Sequence, residues 1–241
     1  MRMRMRMVSR AAICGLLVGC RPAAPASPEQ VLAMVKAYAG GHRLMRLERR
    51  EVGAYTLHVA HLEQGPVAED ELERFSDAQY VLVEHGGALA ELGVLSFVDE
   101  SLTHFKRGAD FSLIGVRGSP LGPLLLLERS TWYRGDPERT GPSHGTATHA
   151  RTNLLICRWT ETLVCADVPT AVSEAAVVAE DGATGSWAVR VEHAGATGGQ
   201  FVFTTSEGDS AAADAERLPR GRVSAVELFA DYPAGSVGQG L

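Results

Sequence analysis

The chain has 241 residues, a formal net charge of −6 at pH 7, and 45% hydrophobic residues. Its length and apolar content suit one larger packed domain or two small ones. The acidic balance argues against nucleic acid as a partner and against an electrostatic grip on anionic lipid.

The first ten residues, MRMRMRMVSR, carry Arg2, Arg4, Arg6 and Arg10 and no acid, and a short apolar run from Ala11 to Gly19 follows. A basic start, a short apolar run and then small residues is the plan of a secretory signal, and the run is too short to cross a bilayer. The stretch Leu17-Val18-Gly19-Cys20 resembles the lipobox of bacterial lipoproteins. That resemblance implies cleavage before Cys20, a thioether-linked diacylglyceryl group on its sulfur and acylation of its new amino group. Two other readings compete: Cys20 as a plain cysteine in an uncleaved N-terminus, and ordinary cleavage after Ala24-Pro25-Ala26. Arg21 interrupts the apolar run before that second site, and Pro25 sits awkwardly beside it, so the lipobox reading is preferred. Two or more acyl chains hold a protein durably to a membrane. Arg21, rather than an aspartate, follows Cys20, which in enteric lipoproteins resembles an outer-membrane destination. Pro22, Pro25 and Pro28, with intervening Ala and Ser, make a semi-extended spacer.

The expected organisation is therefore a lipoprotein signal peptide at 1–19, a Pro/Ala tether at 20–28 and a single β-rich domain at 29–241. It would stand on the periplasmic face of the outer membrane or on the cell surface in preference to the inner membrane. Cleavage removes four arginines and no acid from 23 basic and 29 acidic residues, which leaves a net charge of −10. It also removes Cys14, and lipidation uses Cys20. Cys157 and Cys165 remain, and in an oxidising compartment they most simply form one disulfide.

Along the mature chain, PEQVLAMVKAY predicts a helix over 28–38, with Ser27 as N-cap and Gly40-Gly41 as a stop. VAEDELERFSDA suggests a second, acidic helix over 67–78. Strand signals dominate elsewhere: 55–62, then 80–84 running through His85-Gly86-Gly87 into ALAELGVLSFV as a hairpin. FSLIGVR (111–117) and PLLLLER (123–129) flank the turn GSPLG. Further strands are expected at 150–159, 162–168, 174–180, 186–193, 200–205 and 222–230, with glycine turns between the later ones. Residues 208–218 read as a loop or short helix. No βαβ alternation appears, which disfavours a parallel doubly wound sheet. The expected fold is mainly β: an antiparallel sheet sandwich or partly closed barrel with a short N-terminal helix.

The FSLIGVR–turn–PLLLLER unit is similar to single repeats of the FG-GAP/VCBS type, in which an acidic D-x-D-G-D loop binds calcium between two strands. Here the loop is Gly118-Ser119-Pro120-Leu121-Gly122, with no carboxylate. Calcium requires several hard oxygen ligands, so no calcium is carried over.

The clearest local feature is the stretch from Cys157 to Cys165. If Thr160-Glu161-Thr162 is a hairpin loop, 157 faces 165 from the neighbouring strand, close enough to bridge. A redox pair would show C-x-x-C spacing at a helix start; a structural staple is the better reading. Gly141-Pro142-Ser143-His144-Gly145 matches G-x-S-x-G, whose serine works from a strained strand-to-helix turn. The preceding RGDPERT is a polar loop and the following stretch approaches a strand, so that context is missing. His58 and His61 lie three apart on a strand and so point to opposite faces. His144 and His149 span a loop with no third ligand indicated, and no metal site is assigned. The Arg134-Gly135-Asp136 tripeptide carries almost no weight. The 134–147 loop, preceded by Trp132 and Tyr133, is the best place in the sequence for a contact surface.

The reading with most support is a membrane-tethered bacterial envelope lipoprotein with a non-catalytic binding or structural role. Its partners would be the membrane, through the lipid anchor, and an envelope protein or glycan, with no nucleic acid and no cofactor. The alternative is a lipid-anchored serine hydrolase using Ser143 with His144 or His149.

Overall fold

The fold is taken from a computed structural model, which describes residues 24–39, 42–63, 75–99, 105–135, 147–176, 184–194, 199–208 and 218–234. Cys20, Ser143, His144 and the segment 209–217 lie outside the described residues.

Helix α1 (Pro28–Ala39) forms where the sequence predicts it. Ser27 caps it reciprocally with Gln30: the Gln30 N–H donates to Ser27 Oγ at 3.3 Å, and the Ser27 N–H donates to Gln30 Oε1 at 2.8 Å. Eleven strands follow: β1 (Arg43–Val52), β2 (Tyr55–Glu63), β3 (Phe75–His85), β4 (Ala88–Asp99), β5 (Phe105–Arg117), β6 (Leu124–Gly135), β7 (Ala147–Trp159), β8 (Leu163–Ala176), β9 (Thr184–Ala194), β10 (Gln200–Gly208) and β11 (Gly221–Ser224). Helix α2 (Ala225–Asp231) follows β11 directly. The strands pair in chain order from β1 to β11, each antiparallel to the next, so the mainly β, antiparallel fold with an N-terminal helix holds. The sheet does not close into a barrel; β1 and β11 are its two ends.

The meander folds back on itself because its ladders are uneven. Strands β6 and β7 pair from Leu124↔Arg158 to Arg134↔Thr148. In contrast, among the described residues β4 meets β5 over Phe97–Asp99 against Ala109–Arg107, and β8 meets β9 over Ala171–Ala175 against Ala188–Thr184. At the first of these corners a Cβ on Gly108 would lie 2.4 Å from the Trp132 ring and 2.9 Å from the Phe97 carbonyl, so the close approach requires glycine. Trp132, expected near a contact surface, is thus a packing residue of the corner.

Alternation along the strands sorts the core into faces. Tyr55, Leu57 and Val59 of β2 and Val81 and Val83 of β3 meet Leu125, Leu127 and Leu155 of β6 and β7. The intervening residues of the same middle strands, Leu124, Leu126, Leu154 and Ile156, pack the opposite way, against Phe201 and Phe203 of β10 and Leu228 of α2. Strands β6–β8 are therefore buried on both faces. The run LLLL at 124–127 records this, since a strand covered on both sides has no polar face to alternate with. Helix α1 covers the outer face of β2–β4 through Val31, Val35 and Ala39.

Several expectations are corrected. Residues 75–78, assigned to the end of an acidic helix over 67–78, begin β3, and Ala78 pairs with both Leu62 and Phe97 inside the sheet; residues 67–74 lie outside the described residues. The strand expected at 162–168 and the start of the one expected at 174–180 are one strand, β8, running through Pro169 to Ala176; residues 177–180 lie outside the described residues. The strand expected at 222–230 is β11 followed by α2, whose N-terminus is set by a capping box between Ser224 and Glu227. Strand β1 was not singled out by its pattern; it is a charged end strand whose arginines pair with carboxylates, Arg43 with Glu63 and Arg50 with Glu48.

Candidate functional site

Two β-bulges build a cleft on the outer face of the middle strands. In the β5–β6 ladder Leu113 pairs with Leu127 and Gly115 with Leu126, so Ile114 is left without an opposite number. In the β7–β8 ladder Thr152 pairs with Ala171 and Asn153 with Pro169, so Thr170 is left over in the same way. A bulged residue leaves the ladder and is re-aimed while its strand bends. The backbone chemistry suits each position: Gly115 sits at φ +136, and Pro169 has no N–H to leave unpaired. Ile114 and Thr170 both line a cleft of about 280 Å³ between β5–β8 and the β9–β10 layer.

The floor is apolar: Leu126 and Leu154 from the middle strands, Val191 from β9 and Phe201 from β10. The rim carries Arg117 and Glu128. Both are exposed, and neither has an ion-pair partner among the described residues. The Arg117 Nη1 makes only a 3.4 Å contact with the Val116 carbonyl. Thr170 Oγ1 donates to the Thr152 carbonyl at 3.0 Å, which fixes its rotamer. The cleft opens where β8 and β9 part. Beyond Ala188 the edge of β9 that faced β8 has no ladder partner among the described residues. The corresponding edge of β8 is taken by the C-terminal tail: the Asp167 N–H donates to the Tyr232 carbonyl at 2.9 Å, and the Ala234 N–H donates to the Cys165 carbonyl at 3.0 Å.

The turn between β5 and β6 closes one end. Ser119 Oγ donates to the Gly122 carbonyl at 2.7 Å and accepts the Leu121 N–H at 3.1 Å. Pro120 abuts Gly199, where φ is +80 and an added Cβ would come within 2.9 Å of the proline ring. The turn compared above with a calcium loop is thus a packing clamp between layers, its one hydroxyl committed to its own backbone. Among the described residues there is no group of three or more His, Cys, Asp or Glu side chains placed to hold a metal ion.

A second cavity, of about 330 Å³, lies between the segment before α1, α1 itself and strands β1–β2; Pro25, Ala26, Val31, Leu47, Arg49 and His58 are among its walls. Beneath it His58 and Glu84 form a buried pair, each 5% exposed. His58 Nε2 donates to Glu84 Oε2 at 2.8 Å, and the Ala26 N–H donates to Glu84 Oε1 at 2.9 Å. Burial pushes the Glu84 carboxyl upward. The bonds from His58 and Ala26, with the charges of His58 and Arg49, outweigh it and hold the group below its ordinary range. Ser27 is committed to the helix cap, and the arrangement reads as a structural clasp holding the first turn of chain onto β2 and β3.

Of the residues singled out in the sequence, Cys157 and Cys165 face each other across the β7–β8 hairpin and form a disulfide, with Trp159 opposite Leu163 as the hairpin register requires. His58 and His61 lie on opposite faces of β2; His61 Nε2 bonds Glu48 Oε1 at 2.9 Å on the face away from α1. Burial, together with Arg46 and Arg50, lowers the His61 pKa. His149 lies on β7 opposite Tyr133 and Glu174, while its proposed partners Ser143 and His144 fall outside the described residues. The 134–147 loop is likewise mostly outside them. Sequence reasoning missed the cleft. Its signals were the isolated Gly115 and Pro169 inside strand patterns, which mark bulges. No protein-family model, curated protein or solved structure matches the chain.

Proposed function

We propose that this protein is a lipid-tethered, non-catalytic binding protein of the bacterial cell envelope. Cys20 carries the lipid, residues 21–25 form the spacer, shorter than the sequence suggests because Ala26–Pro28 belong to the fold, and the β-rich domain presents the cleft framed by Ile114 and Thr170. The observation that carries the binding role is the chemistry of that cleft. An apolar floor, with a cation and a carboxylate on the rim that have no ion-pair partner among the described residues, is a lining for capturing an amphipathic molecule. The tether rests on the basic start, the apolar run and LVGC. The Glu84–Ala26 bond supports it by giving the spacer a fixed point of departure on the domain. The location proposed is the periplasmic face of the outer membrane or the cell surface.

The tether is tested by producing the full chain and its Cys20→Ala variant in a bacterial host, with phase separation in a cloud-point detergent and labelling by an alkyne fatty acid. The wild type is expected in the detergent phase and labelled, and the variant in the aqueous phase and unlabelled. A labelled variant, or an unlabelled wild type, overturns the lipid assignment.

A further inference from the structure

We infer that the cleft between β5–β8 and β9–β10 receives a short peptide, two or three residues long with apolar side chains, its free carboxylate on Arg117 and its free ammonium on Glu128. This rests on the binding role proposed above and not on the lipid anchor. A volume of about 280 Å³ sits at the small end of ligand cavities, which selects a metabolite-sized guest over a polymer strand. The floor of Leu126, Leu154, Val191 and Phe201 demands an apolar body.

The rim decides the rest. On β1, Arg43, Arg46, Arg49 and Arg50 are each paired with a glutamate, as acidic proteins ordinarily arrange their arginines. Arg117 and Glu128 are left out of such pairing and stand at opposite ends of the same cleft wall. Arg117 is opposite Leu124 in the ladder, and Glu128 lies four residues further along β6; at strand rise this sets their backbones roughly 13 Å apart. A fatty acid would satisfy Arg117 but bring no cation to Glu128. A single amino acid carries both charges, but too close together to reach both ends. An extended di- or tripeptide holds its termini roughly 7–10 Å apart, a span that the lengths of the Arg117 and Glu128 side chains complete. Its main chain also has a partner, since the edge of β9 beyond Ala188 offers N–H and C=O groups that no described strand pairs with, beside Val191. This is the geometry by which extended peptides add to a sheet edge.

The test is isothermal titration of the purified full chain, in nanodiscs where it proves lipidated and in buffer where it does not. The probes are Leu-Leu-Leu, its N-acetyl and its C-amide forms, and decanoate. The free tripeptide is expected to bind, and each blocked form to bind about tenfold more weakly, as loss of one charged contact requires. Arg117→Gln should abolish the difference between acid and amide alone. Glu128→Gln should abolish the difference between amine and acetyl-amine alone. Both residues are exposed, so the variants keep the fold. Equal binding of free and blocked peptides, tighter binding of decanoate, or no heat at about 1 mM peptide overturns the proposal. None of these outcomes depends on whether Cys20 carries lipid.

Discussion

Strands β6–β8 present two faces to two different covers, and the contrast between those covers places the cleft. On the inner face, Leu125, Leu127 and Leu155 are fully buried against β2–β4. That cover is also fastened by polar bonds: Tyr55 donates its hydroxyl proton to the Pro123 carbonyl at 2.6 Å and accepts the Trp159 N–H at 3.3 Å. The disulfide lies on the same side. On the outer face, the β9–β11 layer and α2 are held by a short ladder at one end, the Pro120–Gly199 contact at the other, and the tail along β8. Strand for strand the chemistry of the two faces is alike, so the openness of the outer one comes from how its cover is attached. Binding clefts and low local stability go together for this reason.

The comparison can be broken most directly in the core. Leu155→Ala, at the sealed inner face, is expected to cost about 3–5 kcal/mol in urea unfolding; Leu126→Ala, beside the cleft, should fall near 2 kcal/mol, because its void is continuous with space already present. Equal losses would mean that the two faces are sealed alike. Replacing both Cys157 and Cys165 by serine should remove about 2–3 kcal/mol, as expected for so small a ring. It should leave peptide affinity unchanged, since the staple faces away from the cleft.

The next effect concerns the clasp at the chain start. Glu84→Gln removes a charge-assisted bond inside a buried pair and should cost about 1.5–3 kcal/mol at neutral pH. The folded-state pKa of Glu84 is depressed, so its contribution is complete above the ordinary value of 4.5 and is lost as pH falls through the lower folded value. The melting-temperature gap between wild type and variant should therefore close in acid. A gap that persists unchanged well below that value would show the carboxylate to be uninvolved. The smallest effect is expected at the outer clamp. Gly199→Ala, at a positive φ and against Pro120, should cost about 1–2 kcal/mol, with faster amide exchange in β9 and β10 and none in β2–β4.

Much of the architecture was legible. Helix α1 has its cap, the 80–99 hairpin has a glycine turn between two apolar runs, and the spacing from Cys157 to Cys165 fixes its own register. What escaped has physical reasons. Strand β1 reads RLMRLERREV and lacks apolar alternation, because an end strand is exposed on one edge and its stability comes from pairing with β2. The start of β3, at residues 75–78, directly follows a run of helix-forming glutamates in the sequence, which hides its strand character. Helix α2 was taken for strand although Ser224 and Glu227 spell a capping box, because Val223, Val226 and Leu228 also suit a strand. The cleft is least legible of all. Ile114, Thr170, Val191 and Phe201 come from four strands, and only the folding-back of the sheet brings them together.

The tail that runs along β8 has a bearing on how the molecule is made. Residues 165–168 belong to an apolar strand whose outer edge would otherwise offer bare N–H and C=O groups to any passing chain. The segment Tyr232–Ala234 occupies that edge, with Pro233 bridged to Ala166. Because a chain is synthesised from its N-terminus, this edge stays open until Tyr232–Ala234 has been made. A chain lacking that segment would keep a bare strand edge exposed and is expected to self-associate.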